Sequence, residues 1–514
     1  MRPMRALRIQ PQAAIAIVLG AAALLLAYLF LQNPLYLMLL VGAEAGVALL
    51  LWMNAASKKA LLAFIMEAML WLGFLHSPFT PGNYVFWLQE LILLLCLAVI
   101  ALRGTWGARL KLSYVLVPLG IIGLTALYVT LRNESIYVYL NGLRRIFLAP
   151  LMFILGQKLA FEDSGKAALR ILQWTFLLQF PACLILIFWH TGSFFGATGA
   201  DLLTGTFGRG GTGYIVIFMP AVLGIFLWMF AKRKFSLKNL LIMSGILLLL
   251  GRWSDLKYLY VLLPMVIAVA FLLLMRQQPS RRKWKTVTIG IVGAAVLLVI
   301  LGLVISASSV RFHSGTLTVS SMFNPEWLDD ALSISSGGII RKKSEEPMFS
   351  RYGVLLYLLE FLPRDWETLL AGRGLGSTAY EGALGPTKLG QEIGIGGLDF
   401  SALSVLLFET GLGGTILYLA PFFLLTVSAF FLLRKKRIWD PEDELLSGIV
   451  ALYGFCLLAS LPYNGFALTL RGGGIFWLLA GLWYASRKRS FSQRSGAGAA
   501  SSNPLIPKTP LESA

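Results

Sequence analysis

Apolar residues recur along the chain in runs of about 20, and short polar stretches separate one run from the next. Such a run forms a helix long enough to cross the ~30 Å hydrocarbon layer of a bilayer, because an α-helix rises about 1.5 Å per residue. The pattern therefore predicts an all-α polytopic membrane protein with about fourteen transmembrane helices. The predicted spans are 12–32, 35–54, 57–75, 84–103, 111–131, 136–157, 169–189, 212–231, 238–251, 256–275, 286–306, 402–433, 446–462 and 472–486.

Two of the predicted spans have unusual lengths. The ninth, 238–251, is short, and the twelfth, 402–433, is longer than one membrane crossing requires. We expect the long one to contain a separate interfacial turn. No internal repeat is evident in the sequence, which disfavours transporters that are built from duplicated halves.

Basic residues concentrate in every second connection between the predicted spans. These connections contain Arg2, Arg5 and Arg8; Lys58 and Lys59; Arg103, Arg109 and Lys111; Lys232, Arg233 and Lys234; Arg281, Arg282 and Lys283; Arg434, Lys435, Lys436 and Arg437; and Arg487, Lys488 and Arg489. By the positive-inside rule these connections are cytoplasmic, so both termini are predicted to be cytoplasmic. Orientation and contact with anionic lipid headgroups then explain the net charge of +19, and no nucleic-acid partner is predicted.

The composition agrees with a membrane protein. Hydrophobic residues make up 57% of the 514 positions and charged residues 13%, whereas soluble domains are about 45–50% apolar and about 25% charged. Cys96, Cys183 and Cys456 fall inside predicted spans and are expected to be buried small hydrophobes, not disulfide or zinc ligands. No cleavable signal peptide is predicted, because the first apolar run is too long and lacks a small-residue cleavage pattern.

The span pattern divides the chain into four parts. Residues 1–306 contain spans one to eleven, 307–399 form a large extracytoplasmic loop with amphipathic helices, 400–489 contain the last three spans, and 490–514 form a disordered cytoplasmic tail. The loop has 8 Lys and Arg against 11 Asp and Glu, unlike the basic connections, which supports its external placement. The tail is rich in Ser, Gly, Ala and Pro, a composition typical of disorder.

Two helices are predicted in the second half of the loop. The first begins at Arg351 with RYGVLLYLLEFL and is stopped by Pro363. Arg351 lies on its apolar stripe, where it either snorkels to the polar region or binds an anion at the membrane surface. The second helix, DWETLLA, makes roughly two turns and is ended by Gly372.

The glycine cluster that follows, GRGLGS, resembles a phosphate cradle at first sight. Its spacing is G-x-G-x-G rather than G-x-G-x-x-G, no βαβ pattern surrounds it, and the predicted external side has no ATP pool, so a nucleotide site is excluded. Gly372 is a candidate C-cap, whereas Gly374 and Gly376 could let backbone amides approach a substrate, with Arg373 or Ser377 assisting. Ordinary loop geometry is the alternative.

Arg144 and Arg145 lie within the sixth predicted span, roughly 13 Å from its outer end at 1.5 Å per residue. Ionisable residues inside a membrane are costly and often functional. Both guanidinium groups could reach a phosphate group that is anchored in the outer leaflet. The alternative is pairing inside the helix bundle, for which the candidate partners are Glu44, Glu67 and Glu90.

A second charged cluster, GRWSDLKY, forms a tight outer turn between the ninth and tenth predicted spans. One interpretation is a hairpin in which Arg252 and Lys257 compensate the charge of Asp255. The other, which we favour, is that Arg252 or Lys257 contacts a phosphate group of the substrate. Basic side chains in this position are suited to phosphate recognition.

These features resemble the bacterial O-antigen polymerase and O-antigen ligase superfamily. Its members have one large late extracytoplasmic loop with an Arg, an amphipathic helix that contains a Trp, a G-x-G-x-G turn, and an E-x-G-x-x-G motif where the next span starts. The matching residues are Arg351, Trp366, Gly372, Gly374, Gly376, Glu409, Gly411 and Gly414. The stretch LLTGTFGRGGTGYIVIF, 202–218, resembles the family's short periplasmic loop before a span, and Arg209 is its only basic residue.

The resemblance implies a GT-C-like glycosyltransferase of the bacterial inner membrane. It would polymerise undecaprenyl-diphosphate-linked oligosaccharide repeat units into O-antigen, capsule or exopolysaccharide on the outer face of that membrane. Its partners would be the polyprenyl-diphosphate-linked oligosaccharide, membrane lipids, a flippase and a chain-length regulator. Fixed arginines, here Arg351 and Arg209, would stabilise the leaving diphosphate, so neither a metal nor another cofactor is predicted.

The sequence departs from the ligase branch, whose motif at the end of the loop is H-[NSQ]-x9-G-x-x-[GTY]. With Gly411 and Gly414 aligned, Phe400 stands where ligases have a histidine, and Ser401 follows it. This departure favours a polymerase and leaves the general base for the acceptor hydroxyl open. The candidate bases are Asp399, one residue before Phe400, Glu409 and His313.

Other functions stay open on the sequence alone. An O-antigen ligase or a protein O-oligosaccharyltransferase would use the same donor chemistry with another acceptor. A transporter or flippase for lipid-linked sugars would predict repeats, discontinuous mid-membrane helices and a through-going polar path, whereas the polar groups here cluster towards the predicted outer face. A scaffolding protein would leave Arg144, Arg145 and the loop arginine unexplained.

Overall fold

The computed structural model is predominantly helical. It describes residues 46, 48–49, 51–76, 84–102, 113–191, 204–207, 212–253, 257–277, 311–312, 315–316, 339–340, 348–349, 353–354, 357–358, 365–378, 387–388, 398–399, 401–433 and 440–501. The α-helices are α1 Lys58–Trp71, α2 Tyr84–Leu102, α3 Ser113–Asn133, α4 Ile136–Leu159, α5 Ser164–Thr191, α6 Thr212–Ala231, α7 Leu237–Trp253, α8 Lys257–Gln277, α9 Trp366–Ala371, α10 Ala402–Leu432, α11 Pro441–Ser460 and α12 Ile475–Ser501. Shorter 3₁₀ turns cover Leu72–His76, Gly205–Phe207 and Gly465–Leu468, and a π-turn covers Leu470–Gly474.

Six helices of the described residues are long and apolar enough to cross a membrane. The qualifying segments are Val115–Arg132, Ile136–Leu159, Ser164–Trp189, Gly213–Ala231, Ala402–Leu432 and Pro441–Ser460. This confirms a polytopic membrane protein. The first predicted span and the eleventh, 286–306, lie outside the described residues.

The long helix α10 contains the turn that its length predicts. Gly411 has φ 64° and ψ −174°, a non-helical conformation that interrupts the helix near its first third. Ser401 caps the start of α10, because its hydroxyl accepts the backbone N–H of Ser404 while the Ser404 hydroxyl contacts the N–H of Ser401. The chain therefore enters this helix at a fixed point and bends again at Gly411.

The described part of the predicted loop contains little regular structure. Two antiparallel ladders pair Arg311–Phe312 (β1) with Gly315–Thr316 (β2), and Ile339–Ile340 (β3) with Met348–Phe349 (β4). The predicted two-turn helix is confirmed as α9, which starts after the N-cap Asp365 and ends at Gly372, with φ 73°. The carboxylate of Asp365 accepts the backbone N–H of Thr368 at 2.6 Å, and this bond lowers the pKa of Asp365 below its usual range.

The interior of the bundle is built around α4 and α12. A Cβ on Gly156 of α4 would lie 2.1 Å from the carbonyl oxygen of Leu478, and a Cβ on Gly481 of α12 would lie 2.3 Å from the carbonyl oxygen of Phe153. Glycines therefore let the two backbones touch, as is common where membrane helices pack. Aromatic side chains fill the adjacent space, with the rings of Phe422 and Phe476 stacked at 3.9 Å.

Several boundaries differ from the predicted spans by up to about five residues, and the end of α12 differs most. α12 runs to Ser501, so the part of the tail from Ser490 to Ser501 is helical where disorder was expected. The alanines in GAGAAS favour helix propagation once α12 is nucleated inside the bundle, and this outweighs the disordering tendency of the Gly and Ser residues.

Candidate anion-binding site

Arg144 and Arg145 occupy the half of α4 that is nearer its N-terminus. They lie roughly 12–13 Å along the helix axis from Ile136 at 1.5 Å per residue. Consecutive helix residues point about 100° apart. The two side chains consequently reach different neighbours, Arg144 towards α2 and Arg145 towards the end of the loop.

A polar cavity of about 210 Å³ opens beside these arginines. It is lined by residues of α2, α4, α6 and the segment before α12, namely Gln89, Glu90, Arg144, Arg145, Leu148, Tyr214, Leu468, Thr469, Leu470 and Arg471. Three arginines and one carboxylate line the cavity, and two of the arginines pair with acids, whereas the printed contacts of Arg471 are to the neutral oxygens of Gln89 and Phe207. Such a cavity is suited to hold an anionic group.

The Arg144 side chain pairs with an acid from another helix. Its Nε lies 3.4 Å from Oε1 of Glu90 on α2. Glu90 is one of the three partners that the sequence offers as an alternative to substrate binding. Internal pairing is therefore present for Arg144, although its side chain stays 38% exposed and lines the cavity.

Arg471 is the site residue that sequence reasoning missed. Its side chain is 2% exposed, its Nε donates to Oε1 of Gln89 at 3.1 Å, and its Nη1 donates to the carbonyl oxygen of Phe207. Gln89 is itself fixed, because its Nε2 donates to the carbonyl oxygens of Ala68 and Met69 at 3.1 Å. The guanidinium group is thus held in position by neutral oxygen acceptors on two other parts of the chain.

The local sequence explains how Arg471 enters the bundle. It lies in the π-turn Leu470–Gly474, which Thr469 caps by accepting the backbone N–H of Gly472. A Cβ on Gly473 would lie 1.9 Å from the carbonyl oxygen of Ala467, so only glycine permits this tight wrap. Two features of the sequence could have identified Arg471 as a site residue. It is the only charged residue between α11 and α12, and three glycines follow it. π-turns are frequent at functional sites.

Arg145 joins two acids and a threonine that the sequence places far away. Its Nη2 donates to Oγ1 of Thr378 at 2.9 Å and lies 3.3 Å from Oε1 of Glu409, while its Nη1 lies 3.7 Å from Oδ2 of Asp399. The Thr378 hydroxyl donates to the same Glu409 oxygen at 2.6 Å. The structure therefore brings together three of the residues predicted for the site, Arg145, Asp399 and Glu409.

The two acids differ in their access to solvent. The Glu409 side chain is fully buried, whereas that of Asp399 is 44% exposed. One Glu409 oxygen accepts hydrogen bonds from both Arg145 and Thr378, so this carboxylate is already engaged inside the protein. Asp399 is the acid that a substrate hydroxyl could approach.

The glycine turn 372–376 fixes the loop against the helices. The backbone N–H of Arg373 donates to the carbonyl oxygen of Phe408 at 2.7 Å, and that of Gly374 donates to the carbonyl oxygen of Glu409 at 3.1 Å. Both acceptors belong to α10 just before its kink at Gly411. The turn therefore ties Glu409, and through it Arg145, to the end of α9.

The glycines of this turn face protein atoms. A Cβ on Gly372 would lie 2.6 Å from the backbone nitrogen of Gly411, one on Gly374 2.3 Å from Oγ1 of Thr130, and one on Gly376 2.1 Å from the carbonyl oxygen of Val138. All three have positive φ. Their role in the structure is close packing of the turn on α3, α4 and α10, and contact of their amides with a substrate stays a prediction.

The other predicted residues are distributed as follows. Ser377 is 1% exposed, and its carbonyl oxygen accepts the Thr387 hydroxyl at 2.8 Å. Arg373 lies in the turn beside it. Arg252 is in the last turn of α7 and Lys257 is the first residue of α8, and only their backbones are described. The predicted residues outside the described part of the chain are Arg209, Arg351 and His313.

Comparison with known proteins does not add a relative to these observations. No protein-family model matches the chain, and no curated protein matches its sequence.

Proposed function

We propose that this protein is a membrane glycosyltransferase that elongates a polysaccharide from polyprenyl-diphosphate-linked repeat units on the outer face of the bacterial inner membrane. The single observation that supports this most is the cavity lined by Arg144, Arg145 and Arg471, beside the exposed carboxylate of Asp399. The proposal includes about fourteen spans, cytoplasmic termini and an external loop 307–399, as the alternation of basic connections predicts.

The chemistry requires charge stabilisation at the leaving group. When the bond between the sugar's anomeric carbon and the diphosphate oxygen breaks, the electron pair leaves with the diphosphate, whose negative charge grows. Guanidinium groups that are already fixed in place stabilise that charge without reorganising. Arg471, held by Gln89 and the Phe207 carbonyl, is such a group. In the proposal Arg351 and Arg209 add to it from the loops.

We assign the proton acceptor to Asp399. As the acceptor hydroxyl oxygen bonds to the anomeric carbon, its proton passes to the Asp399 carboxylate. Asp399 is half-exposed, so a sugar can reach it, and its Oδ2 lies 3.7 Å from Nη1 of Arg145. Glu409 is fully buried and already engaged, so its role is to hold Arg145 and Thr378 in position.

The test is elongation by the purified protein in lipid vesicles, with lipid-linked repeat units as both donor and acceptor. We expect Arg471→Ala to lower the rate by a factor of about 10²–10³, as the loss of one fixed donor to a developing anion does in other enzymes. Arg471→Lys should retain part of the rate because it keeps the charge. Arg170→Ala, at an exposed arginine on α5, is the matched control and should leave the rate unchanged.

Two outcomes would contradict the proposal. If folded protein does not extend the repeat units under any condition, the polymerase function is wrong. Activity that appears only after a lipid A core or a protein acceptor is added would instead indicate a ligase or a protein O-oligosaccharyltransferase. Full activity of folded Arg471→Ala would remove the cavity from the mechanism.

A further inference from the structure

The short helix α9 exposes an apolar face. Trp366 is 78% exposed and Leu370 is 55% exposed, and they are four positions apart, so their side chains lie one above the other on the helix. On another side of the helix, Thr368 is only 5% exposed. Leaving a Trp and a Leu in water costs roughly 25 cal/mol for each Å² of apolar surface. We therefore expect an apolar environment to cover this face of α9.

An exposed ion pair joins α9 to the end of α3. Both carboxylate oxygens of Glu367 accept hydrogen bonds from Nη1 of Arg132, at 3.1 and 3.0 Å. Arg132 is the last residue of the membrane-spanning segment Val115–Arg132. Glu367 consequently lies at the level where that segment leaves the hydrocarbon layer. The next helix, α4, begins at Ile136, so the chain turns back into the membrane at the same level.

The surrounding surface has the composition of a membrane interface. Tyr128 on α3 is 67% exposed and Tyr137 on α4 is 63% exposed, and both lie within two turns of the connection between these helices. Tyr and Trp concentrate at the headgroup level of membranes because one end of each side chain is apolar and the other is polar. Leu124 on α3 is 73% exposed, which marks the adjacent lipid-facing surface.

We propose that α9 is an interfacial membrane anchor, with Trp366 and Leu370 inserted among the lipid headgroups and first acyl carbons of the leaflet where α3 ends. The occupant of this face is lipid, because α9 is paired through Glu367 with Arg132, at the end of a membrane-spanning segment whose own surface exposes Leu124 and Tyr128. The inference does not depend on the enzymatic proposal or on which side of the membrane the loop occupies.

The anchor also has a consequence for the site. α9 ends directly in the glycine turn, whose amides donate to the carbonyls of Phe408 and Glu409. Holding α9 at a constant depth therefore holds Glu409, and with it Arg145, at a constant depth.

The experiment uses a fluorophore on the anchor. Leu370→Cys is labelled with an environment-sensitive dye in the full-length protein; Cys96, Cys183 and Cys456 are buried and serve as the unlabelled background. After reconstitution into phosphatidylcholine–phosphatidylglycerol vesicles, a nitroxide near the lipid headgroup should quench the dye at least about twice as strongly as one in the middle of the acyl chain, since interfacial residues lie at headgroup level. Lys388→Cys, at an exposed position of the same loop, is the control and should be quenched by neither.

A second pair of variants tests Trp366 itself. In the Leu370→Cys background, Trp366→Ser should lower quenching by the headgroup nitroxide to about half, whereas Trp366→Tyr should retain it, because Tyr also favours the interface. A dye at position 370 that stays in water in vesicles, with the protein folded by circular dichroism, overturns the proposal and leaves the face to a protein partner. Equal quenching at positions 370 and 388 overturns it as well, because the contact would then not be specific to α9.

Discussion

The two halves of α4 contact their neighbours through different interactions. Its C-terminal half packs on α12 through Gly156 and Gly481, where the two backbones touch. Its N-terminal half carries Arg144 and Arg145, which meet acids from α2, the loop end and α10. In the C-terminal half complementary shape holds the helices together, and in the N-terminal half charge pairing does. We therefore expect substitutions in the C-terminal half to affect stability alone and those in the N-terminal half to affect activity as well.

The largest expected effect on stability comes from removing the ion pair between Arg145 and Glu409 in the N-terminal half of α4. Replacing Arg145 with Met removes the cation beside the fully buried Glu409 carboxylate. We expect the free energy of unfolding to fall by about 3–5 kcal/mol, because an unpaired buried charge is left behind. Thermal unfolding and denaturant titration in detergent, followed by circular dichroism, measure this loss. A single variant as stable as the parent would show that the pair does not stabilise the fold.

The double variant Arg145→Met/Glu409→Leu separates stability from activity. Replacing both partners with apolar side chains of similar size is often close to neutral for stability. We therefore expect the double variant to unfold close to the parent temperature yet to have lost elongation activity. Activity that returned together with stability would mean that this half of α4 has a structural role only.

The apolar half should be affected by a single methyl group. In Gly156→Ala the new Cβ would lie 2.1 Å from the Leu478 carbonyl oxygen, so α4 and α12 must move apart. We expect a loss of about 1–3 kcal/mol in the free energy of unfolding, as for other overpacked interiors. Activity per folded molecule should stay unchanged.

The matched control is Gly120→Ala on α3, where no atom lies within 4 Å of the new Cβ. Because alanine favours helix over glycine, this variant should be neutral or more stable by up to about 1 kcal/mol. Equal effects at positions 120 and 156 would mean that helix propensity, and not close backbone packing, governs this half of α4.

The smallest expected effect concerns the cap of α9, which supports the charged half from the loop side. Asp365→Ala should cost about 1 kcal/mol locally, because the backbone N–H of Thr368 loses its acceptor. The pKa of Asp365 is lowered by this bond. The carboxylate's contribution to stability is therefore present at pH values above its pKa in the unfolded chain, about 3.9, and is lost as the pH falls through its lower pKa in the folded protein.

Hydrogen exchange of residues 366–371 in vesicles checks the cap prediction. Protection in the parent should fall as the solution is acidified. Asp365→Asn keeps an N-cap acceptor and should show exchange that does not depend on this titration. Loss of protection at low pH in the Asn variant as well would assign the effect to another group.

Several elements could be predicted because their signal is local. The span 212–231 coincides with α6, and Gly372 ends α9 as predicted. The excess length of span 402–433 correctly indicated an interruption, and Gly411 supplies it. In each case the residues that decide the structure are neighbours in sequence.

The site could be predicted only in part. Arg144 and Arg145 were candidates because ionisable residues within apolar segments are costly, whereas Asp399 and Glu409 were candidates through the family resemblance. Their partnership was not predictable, since Arg145 and Glu409 are 264 positions apart and three acids in the spans were equally available to pair. Arg471 was missed because, in sequence, it looks like an ordinary loop residue just before a span. The structure buries it through the π-turn.

The sequence by itself determined that the chain crosses a membrane several times and which costly charges lie within the crossing helices, because burial in lipid requires apolar helices of a set length. Only the tertiary structure decided which charges meet. It distinguished the buried Glu409 from the accessible Asp399, brought Arg471 to the cavity, and placed the glycines 372, 374 and 376 against helices. Those outcomes depend on helix packing between distant segments, where the preferences of neighbouring residues have no influence.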